Sequence, residues 1–358
     1  MSEPSTAPAS PPAGTQYILQ PPASYFGRYG KLLLVGLIFC IVIIVGMWAS
    51  YQEYFNPPGG PLERYHSLST VAPQKVAIIN VSGAILDGDG FVKRQIDRVR
   101  EDSNVVAVVL RIDSPGGTVT ASDYLYHHLK KLREDRNLPM VVSMGSLCAS
   151  GGYYMAMAVG DQPDAIFAEP TTWTGSIGVV IPHYDLSGLL ASWEIKDDSI
   201  ASHPYKLMGS PTRELTEEER EKERELLRTL VDESFERFKG VVRSGRPALA
   251  EDASELDEVT TGQIFSADQA LAHGLVDRIG FIDEAVARAA ELAGTSAEDV
   301  RCVEFVKPPG ALDALLGTQA KALVEGRPTW DLATLLDLAA PRAYYLSSWL
   351  PSVVRNSR

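Results

Sequence analysis

Val105-Val-Ala-Val-Val-Leu-Arg-Ile-Asp-Ser-Pro-Gly-Gly117 decides how this chain folds. From Val105 to Ile112 it reads as a strand buried on both faces, the pattern of a parallel sheet covered by helices. The Asp-Ser-Pro-Gly-Gly turn stops that strand. Thr118 to Arg133 then reads as a helix with Leu125, Leu129 and Leu132 on one side. Pro139 to Met144 reads as the next strand, Ser150 to Val159 as a short helix and Ala165 to Ala168 as a further strand. Upstream, Lys75-Val-Ala-Ile-Ile-Asn-Val-Ser-Gly83 opens the folded domain as a strand. Strand, helix, strand, helix, strand implies right-handed parallel crossovers, hence an α/β domain. Further on, Ile177 to Ile181 reads as a strand. Thr216 and Glu219 form a capping box at the start of a long helix. Leu227, Leu230, Val231, Phe235, Phe238 and Val242 recur along it at helical spacing. Gly262 to Asp277 reads as a helix–turn unit, and Val303 to Val306 as a last strand.

The 358 residues carry a net charge of −13, which argues against a general nucleic-acid binder, since that would need a basic face. The chain is long enough to bury a core without a disulfide or metal staple. Three cysteines, Cys40, Cys148 and Cys302, make no disulfide framework. No CxxC or HExxH motif occurs, so no metal site and no cofactor are expected.

The N-terminal part has a different character. Residues 1–24 hold six prolines among Ser, Ala and Thr, and residues 1–31 read as a disordered, Pro-rich tail. Leu32 to Ser50 carries no charge. Roughly 20 helical residues cross a hydrocarbon core, so residues 32–51 are expected to span the lipid bilayer as one transmembrane helix. Trp48 and Tyr51 stand at one end, where aromatic rings favour the interface. A cleaved signal peptide would have a shorter apolar region and a small-x-small site, which Met47 and Trp48 before Ala49 and Ser50 do not supply. Arg28 and Lys31 precede the span and Glu53 is the first charge after it. The expected topology is therefore a cytoplasmic N-terminus with everything after residue 51 outside. Residues 52–72, with Asn56-Pro-Pro-Gly-Gly-Pro61, read as a linker.

Chemistry concentrates in Ser143-Met-Gly-Ser-Leu-Cys-Ala-Ser150-Gly-Gly-Tyr-Tyr154. A strand ends and a helix begins near Ser150, where free N–H groups point outward and the glycines permit close backbone approach. That geometry suits a nucleophile whose attacked carbonyl must reach backbone donors. For an isolated Ser-Gly-Gly, the plain reading is an N-cap serine. Asp113-Ser-Pro-Gly-Gly117 offers further unobstructed amides, or simply a strand-to-helix turn. A nucleophilic serine needs a base. Six histidines occur, none in a recognisable triad context; His183, after the Ile177–Ile181 segment, is the best placed. Lysine is the other option. A lysine, ordinarily near 10.4, serves as a base only where desolvation lowers it by roughly 3 units. Lys206 stands in a turn-rich, apolar stretch beside Tyr205, Leu207 and Met208.

Five blocks extend this picture: LRIDSPGG (110–117), SMGSLCASGGYYMA (143–156), TWTGSIGVV (172–180), YKLMGSPTRELTEEE (205–219) and GQIFSADQALAHGLVD (262–277). In this order they resemble the signal peptide peptidase A family, membrane-anchored Ser–Lys proteases of bacteria, in its short, single-repeat form. The resemblance runs from residue 75 to about residue 305. It implies a Clp-protease/crotonase-like fold of repeated ββα units, a peptidase domain over 73–306 and a partly helical extension over 307–358. By motif match it makes Ser150 the nucleophile, Lys206 the general base and Ser176 the serine that hydrogen-bonds the lysine. Gly117 and Gly151 match the oxyanion-hole amides. Cys148 stands where the family usually carries a smaller residue. The resemblance also implies a ring- or dome-shaped homo-oligomer, with the lysine donated within a subunit or across a boundary. Substrates would be peptides, namely remnant signal peptides, at the outer face of the cytoplasmic membrane, with no nucleic acid involved. Tyr153, Met155 and Ile177 are placed near an apolar substrate groove, with plain core as the competing assignment. Two rival functions are a crotonase-like acyl-CoA enzyme and a non-catalytic membrane scaffold on a protease fold.

Overall fold

A computed structural model describes residues 25–55, 60–251 and 253–308. The chain divides into an N-terminal unit, residues 1–58, and a larger unit, residues 59–358. The described part of the first unit is one helix, α1 (Tyr25–Phe55). Its stretch Tyr29–Trp48 is long and apolar enough to cross a membrane, and none of it is buried. The helix starts earlier and ends later than residues 32–51. Residues 25–31 are therefore helical rather than part of a disordered tail, and 52–55 are helix rather than linker. The tail assigned to residues 1–24 lies outside the described residues, as does the 307–358 extension beyond residue 308.

The larger unit runs β1 (Leu62–Leu68), β2 (Gln74–Ser82), α2 (Phe91–Glu101), β3 (Val105–Ser114), α3 (Val119–Arg136), β4 (Met140–Ala149), α4 (Gly151–Ala156), β5 (Ile166–Ala168) and β6 (Trp173–Gly175). It continues through α5 (Ser187–Ser192), α6 (Glu217–Gly245), α7 (Pro247–Glu251), α8 (Ala253–Val259), β7 (Ile264–Ser266), α9 (Ala267–Ala272), β8 (Arg278–Ile279), α10 (Ile282–Leu292) and β9 (Val300–Val306). The sheet order is β1-β9-β2-β3-β4-β5-β8, with β6 on β4 and β7 on β6. Pairing is parallel except at β1–β9 and β6–β7. The fold is of the mixed α/β class, with a mostly parallel sheet, that the sequence pattern implies.

Alternation along β3 explains why it reads as apolar throughout. Val108, Leu110 and Ile112 pack with Ile96 and Val99 of α2 and Leu125, Leu129 and Leu132 of α3. Ala107 and Val109 pack on the opposite face with Ala285, Val286, Ala289 and Ala290 of α10. Each fully buried aliphatic side chain contributes about 1.5–3 kcal/mol to holding these layers together.

β4 forks, and the fork sets up the site. Its first half pairs with β5 at Val142–Met144, and its second half pairs with β6 at Leu147–Ala149. Asp113 holds the second half by accepting from Ser146 Oγ (2.7 Å) and Leu147 N (3.1 Å). Two expectations fail here. The supposed linker contains β1, an edge strand whose Glu63 meets the buried Lys75 at 2.8 Å. Residues 177–181 belong to no sheet; the chain leaves β6 and runs irregularly along a cleft.

Candidate active site

Ser150 follows the last residue of β4 and caps α4 with φ 52° and ψ −117°. A non-glycine residue in this region is strained, and such strain persists only where surrounding contacts fix it. Here Ser150 N donates to Gly175 O (2.8 Å), and Tyr154 N donates to Ser150 O (2.9 Å). Gly175 belongs to β6, so the forked half of β4 and its partner strand together hold the elbow. Cys148, two residues earlier, is fully buried, and burial pushes its thiol far up, so it offers no competing nucleophile.

The Asp113–Gly117 turn packs against this elbow. Ser114 Oγ donates to Gly83 O (2.7 Å) and accepts from Gly116 N (3.0 Å). Ile85 N donates to Gly116 O and Thr118 N to Ile85 O, both at 2.9 Å. In this parallel bridge the intervening Gly117 N–H points to the other side of the chain, and it donates to nothing among the described residues. Only glycine fits at Gly116: its φ is +96°, and an added Cβ would sit 2.6 Å from Gly151 N and 2.9 Å from Ser150 Cβ. A Cβ added to Gly151 would lie 3.2 Å from Gly117 N. The two candidate oxyanion amides, Gly117 and Gly151, are thus neighbours at the end of β4.

Ser176 takes the same unusual backbone, φ 51°, with its N–H donating to Gln263 O (2.7 Å). Ser150 and Ser176 open into one cleft of about 450 Å³, lined also by Ile177, Gly178, Val179, Val180, Val231, Phe235, Thr260, Thr261 and Gly262. Neither serine hydroxyl has a hydrogen-bond partner among the described residues. Sequence reasoning took Val231 and Phe235 of α6 only as a packing stripe, took Gly262 only as the start of a helix–turn unit, and passed over Thr260 and Thr261. The positive φ of Gly262, +83°, is a conformational signal that sequence alone does not reveal.

Of the expected groove residues, Ile177 lines the cleft, while Tyr153 and Met155 do not. Both are fully buried in the core, and Tyr153 OH donates to Leu275 O (2.8 Å). They sit on α4, a helix buried on all sides, so their nearness to Ser150 in sequence does not bring them to the substrate side.

The cleft lining contains no ionisable side chain. His183 lines a separate cavity of about 620 Å³ with Ile181, Asp185 and Arg213. Lys206 lies in a 3₁₀ turn, Pro204–Leu207, and is exposed. Its loop is fastened to the N-terminal half of α6. There Arg213 Nη1 donates to Pro204 O (3.3 Å), and Gly209 N donates to Glu223 Oε2 (3.3 Å). Glu223 and Val231 are eight residues apart on α6, about 12 Å along its axis. Within one copy of the chain, Ser150, Ser176, Gly117 and Gly151 come together, while Lys206 lines neither this cleft nor the neighbouring cavity.

Known proteins share this arrangement in sequence. The family described as peptidase family S49 matches residues 132–296. "Putative protease slr0021" of Synechocystis is 37% identical over 248 residues, covering 69% of this chain and 85% of that protein. "Protease 4" of Salmonella typhi is 34% identical over 238 residues, covering 64% of this chain but 36% of its own length. "Putative signal peptide peptidase SppA" of Enterococcus faecium is 33% identical over 192 residues, covering 54% of this chain and 52% of its own. The chain thus spans most of the cyanobacterial relative and about a third of protease 4. The matched region begins within α3 and carries the forked strand, the strained serine and the cleft beside it, and the chain belongs to peptidase family S49, among its SppA-like members.

Proposed function

We propose that this protein is a membrane-anchored serine endopeptidase in which Ser150 attacks the peptide carbonyl and Lys206 of a neighbouring copy is the base. The observation that carries the second half is the absence of any ionisable group in the Ser150 cleft, set beside a lysine exposed on its own copy. Assembly would bury that lysine, and desolvation favours the neutral amine a base requires. The amine takes the Ser150 hydroxyl proton as Oγ bonds to the carbonyl carbon. The carbonyl oxygen, now anionic, faces the N–H groups of Gly117 and Gly151. The protonated amine then gives its proton to the leaving nitrogen, and water hydrolyses the acyl-enzyme with the same lysine as base. Ser176 opens into the same cleft and orients the amine, as the third member of a triad does.

Ile177, Val179, Val180, Val231 and Phe235 give the cleft an apolar wall, which suits apolar peptides such as released signal peptides. Helix α1 anchors the enzyme, and the cations preceding the span favour a catalytic unit on the outer side of the cytoplasmic membrane. The apolar side chains of Val180, Tyr184, Trp193 and Ile200, in the stretch that leads from the cleft to Lys206 in sequence, are exposed, which supports a second copy as what covers them.

Full-length Ser150→Ala and Lys206→Ala chains, purified alone and after co-expression, test this reading. Each alone should fail to hydrolyse peptide, while mixed assemblies recover part of the activity. Turnover by Lys206→Ala alone refutes the base. Mixed assemblies as inactive as their parents refute donation between copies. A fluorophosphonate that labels wild-type Ser150 excludes the scaffold reading.

A further inference from the structure

On its β3 side, β4 carries an irregularity. Ile112 faces Met144 and Ser114 faces Cys148, so three residues, Gly145, Ser146 and Leu147, oppose Asp113 alone. Such a bulge disrupts the ladder locally and bends the strand, and buried backbone groups inside it need other partners. Side chains supply them. Thr172 Oγ1 donates to Gly145 O (2.7 Å), and Leu147 N donates to Asp113 Oδ1 (3.1 Å). Arg111 Nη1 donates to Met144 O (3.3 Å), while its Nη2 meets Glu169 Oε1 at 2.6 Å. Glu169 and Thr172 are the two ends of the turn between β5 and β6, which Thr172 N closes by donating to Glu169 O (2.9 Å). That turn is thereby seated in the fork of β4. Gly145 admits these side chains: a Cβ there would lie 3.0 Å from Asp113 Cβ and 3.3 Å from Arg111 Nη2.

The two segments that leave the fork end alike. Leu147 pairs with Trp173 and Ala149 with Gly175. The next residues are Ser150 and Ser176, both at positive φ and both lining the cleft. Each stands three residues, about 10 Å, beyond the first pair of its segment. We propose that Asp113 and Thr172 are positioning residues for hydrolysis: they fix the starts of the two segments, and so the places of Ser150 and Ser176 at their ends. The proposal rests on the reading of Ser150 as nucleophile. Neither Asp113 nor Thr172 lines the cleft, so each acts through the backbone and not on the substrate. Reaction rate is sensitive to such placement, since a shift of about 1 Å at reacting groups costs on the order of 10²-fold. Substrate affinity is less so, because Val231 and Phe235 of the apolar wall belong to α6 and not to the fork.

Thr172→Val and Asp113→Ala in the full-length protein test the assignment. Thr172→Ser keeps the hydroxyl and Asp113→Asn keeps an acceptor oxygen, so these serve as the conservative pair. In Thr172→Val and Asp113→Ala, kcat for a fluorogenic apolar peptide should fall at least about tenfold while KM stays within about threefold. The second-order rate at which a fluorophosphonate labels Ser150 should fall by a similar factor, at a temperature where a thermal melt shows the protein folded. Thr172→Ser and Asp113→Asn should return kcat to within about threefold of wild type. Folded Thr172→Val or Asp113→Ala enzyme with wild-type kcat and labelling rate would overturn the proposal. So would conservative variants as impaired as the other two. If buried Thr172→Val does not fold, Asp113→Ala, at a partly exposed side chain, decides by the same readouts. Wild-type protein whose Ser150 no fluorophosphonate labels would instead reject the nucleophile, which separates the two failures.

Discussion

Gly116→Ala perturbs the proposed oxyanion side of the site without replacing any proposed reacting group. The added Cβ would stand 2.6 Å from Gly151 N and 2.9 Å from Ser150 Cβ. Even a tight 3.2 Å contact requires the two segments to part by about 0.6 Å, since carbon–nitrogen contacts relax only beyond that range. The backbone at φ +96° adds strain of about 1 kcal/mol for any residue with a Cβ. Together these terms cost about 1–3 kcal/mol, within what a domain stable by about 5–15 kcal/mol survives. The thermal midpoint should drop by several degrees while the fold persists. Activity should suffer far more. Parting the turn from the elbow moves Gly117 N and Gly151 N away from each other, and losing one oxyanion donor costs about 10²–10³ in kcat. Steady-state hydrolysis of a fluorogenic apolar peptide, with a thermal melt on the same preparation, reads both effects. A folded Gly116→Ala enzyme with kcat within threefold of wild type would show that these two amides do not hold the oxyanion together.

Other substitutions probe other links. Phe238 is buried against the Tyr154 ring, at 5.0 Å between centroids, so Phe238→Ala should cost about 3–5 kcal/mol in denaturant unfolding. Arg237→Ala, which removes a bidentate pair with Asp123 on a mostly exposed side chain, should cost about 1 kcal/mol or less. Asp102 is subject to burial, which raises a carboxyl. The Lys75 hydrogen bond, the Asn104 N–H and the charges of Lys75 and Arg98 more than offset this and hold it below its ordinary value. A depressed carboxyl contributes stability above its unfolded value, near 3.9, and that contribution disappears as pH falls through the folded value. Unfolding midpoints should therefore drop on acidification below about pH 4, and Asp102→Asn should flatten that drop. Ile200 is 98% exposed near Lys206, so Ile200→Asp should weaken self-association and specific activity together. Specific activity that stays constant on dilution while the assembly dissociates would contradict a shared site.

The scaffold was legible where a single stretch of sequence determined its own surroundings. β3 is apolar on both faces because helices cover both, and the Thr216–Glu219 capping box starts α6 where the motif places it. Strand β1 was not legible. Leu-Glu-Arg-Tyr-His-Ser-Leu has little apolar alternation, and it forms a strand because β9, more than 200 residues downstream, offers a free edge. The Ile177–Ile181 run has strand composition and yet pairs with nothing, because the cleft takes the place of a partner strand. The site divides the same way. The Ser150 elbow and the Gly116–Gly117 turn are local and announce themselves through glycines. The cleft wall at Val231 and Phe235 comes from a helix distant in sequence. Tyr153 and Met155 misled because sequence proximity to Ser150 says nothing about which way a buried helix turns its side chains.

Among the described residues, six non-glycine residues have positive φ: Leu68, Asn137, Ser150, Asp164, Ser176 and Glu194. Asn137 has a positive φ because it caps the C-terminus of α3, an ordinary use of that conformation. Ser150 and Ser176 cap nothing through their side chains, yet both adopt positive φ, and both open into the same cleft with unpartnered hydroxyls. Ser122, buried and unpaired, lies against Gly151, next to one of them. Each of these features costs stability, and packing alone would relieve it with an alanine or a glycine. Their convergence on one end of β4 points to a cost offset by chemistry at that point rather than by structure. What the cleft lacks is equally informative. The polar side chains lining it, Ser150, Ser176, Thr260 and Thr261, are all hydroxyls, and none of them can accept and hold a proton near neutral pH. On the proposed reading of Ser150 as nucleophile, such a cleft without a base is half of a catalytic constellation. The apolar, solvent-facing segment that carries Lys206 has the complementary deficiency: an amine that needs desolvation and side chains that need covering. Bringing the two surfaces together remedies both deficiencies at once, and on that account hydrolysis should depend on assembly.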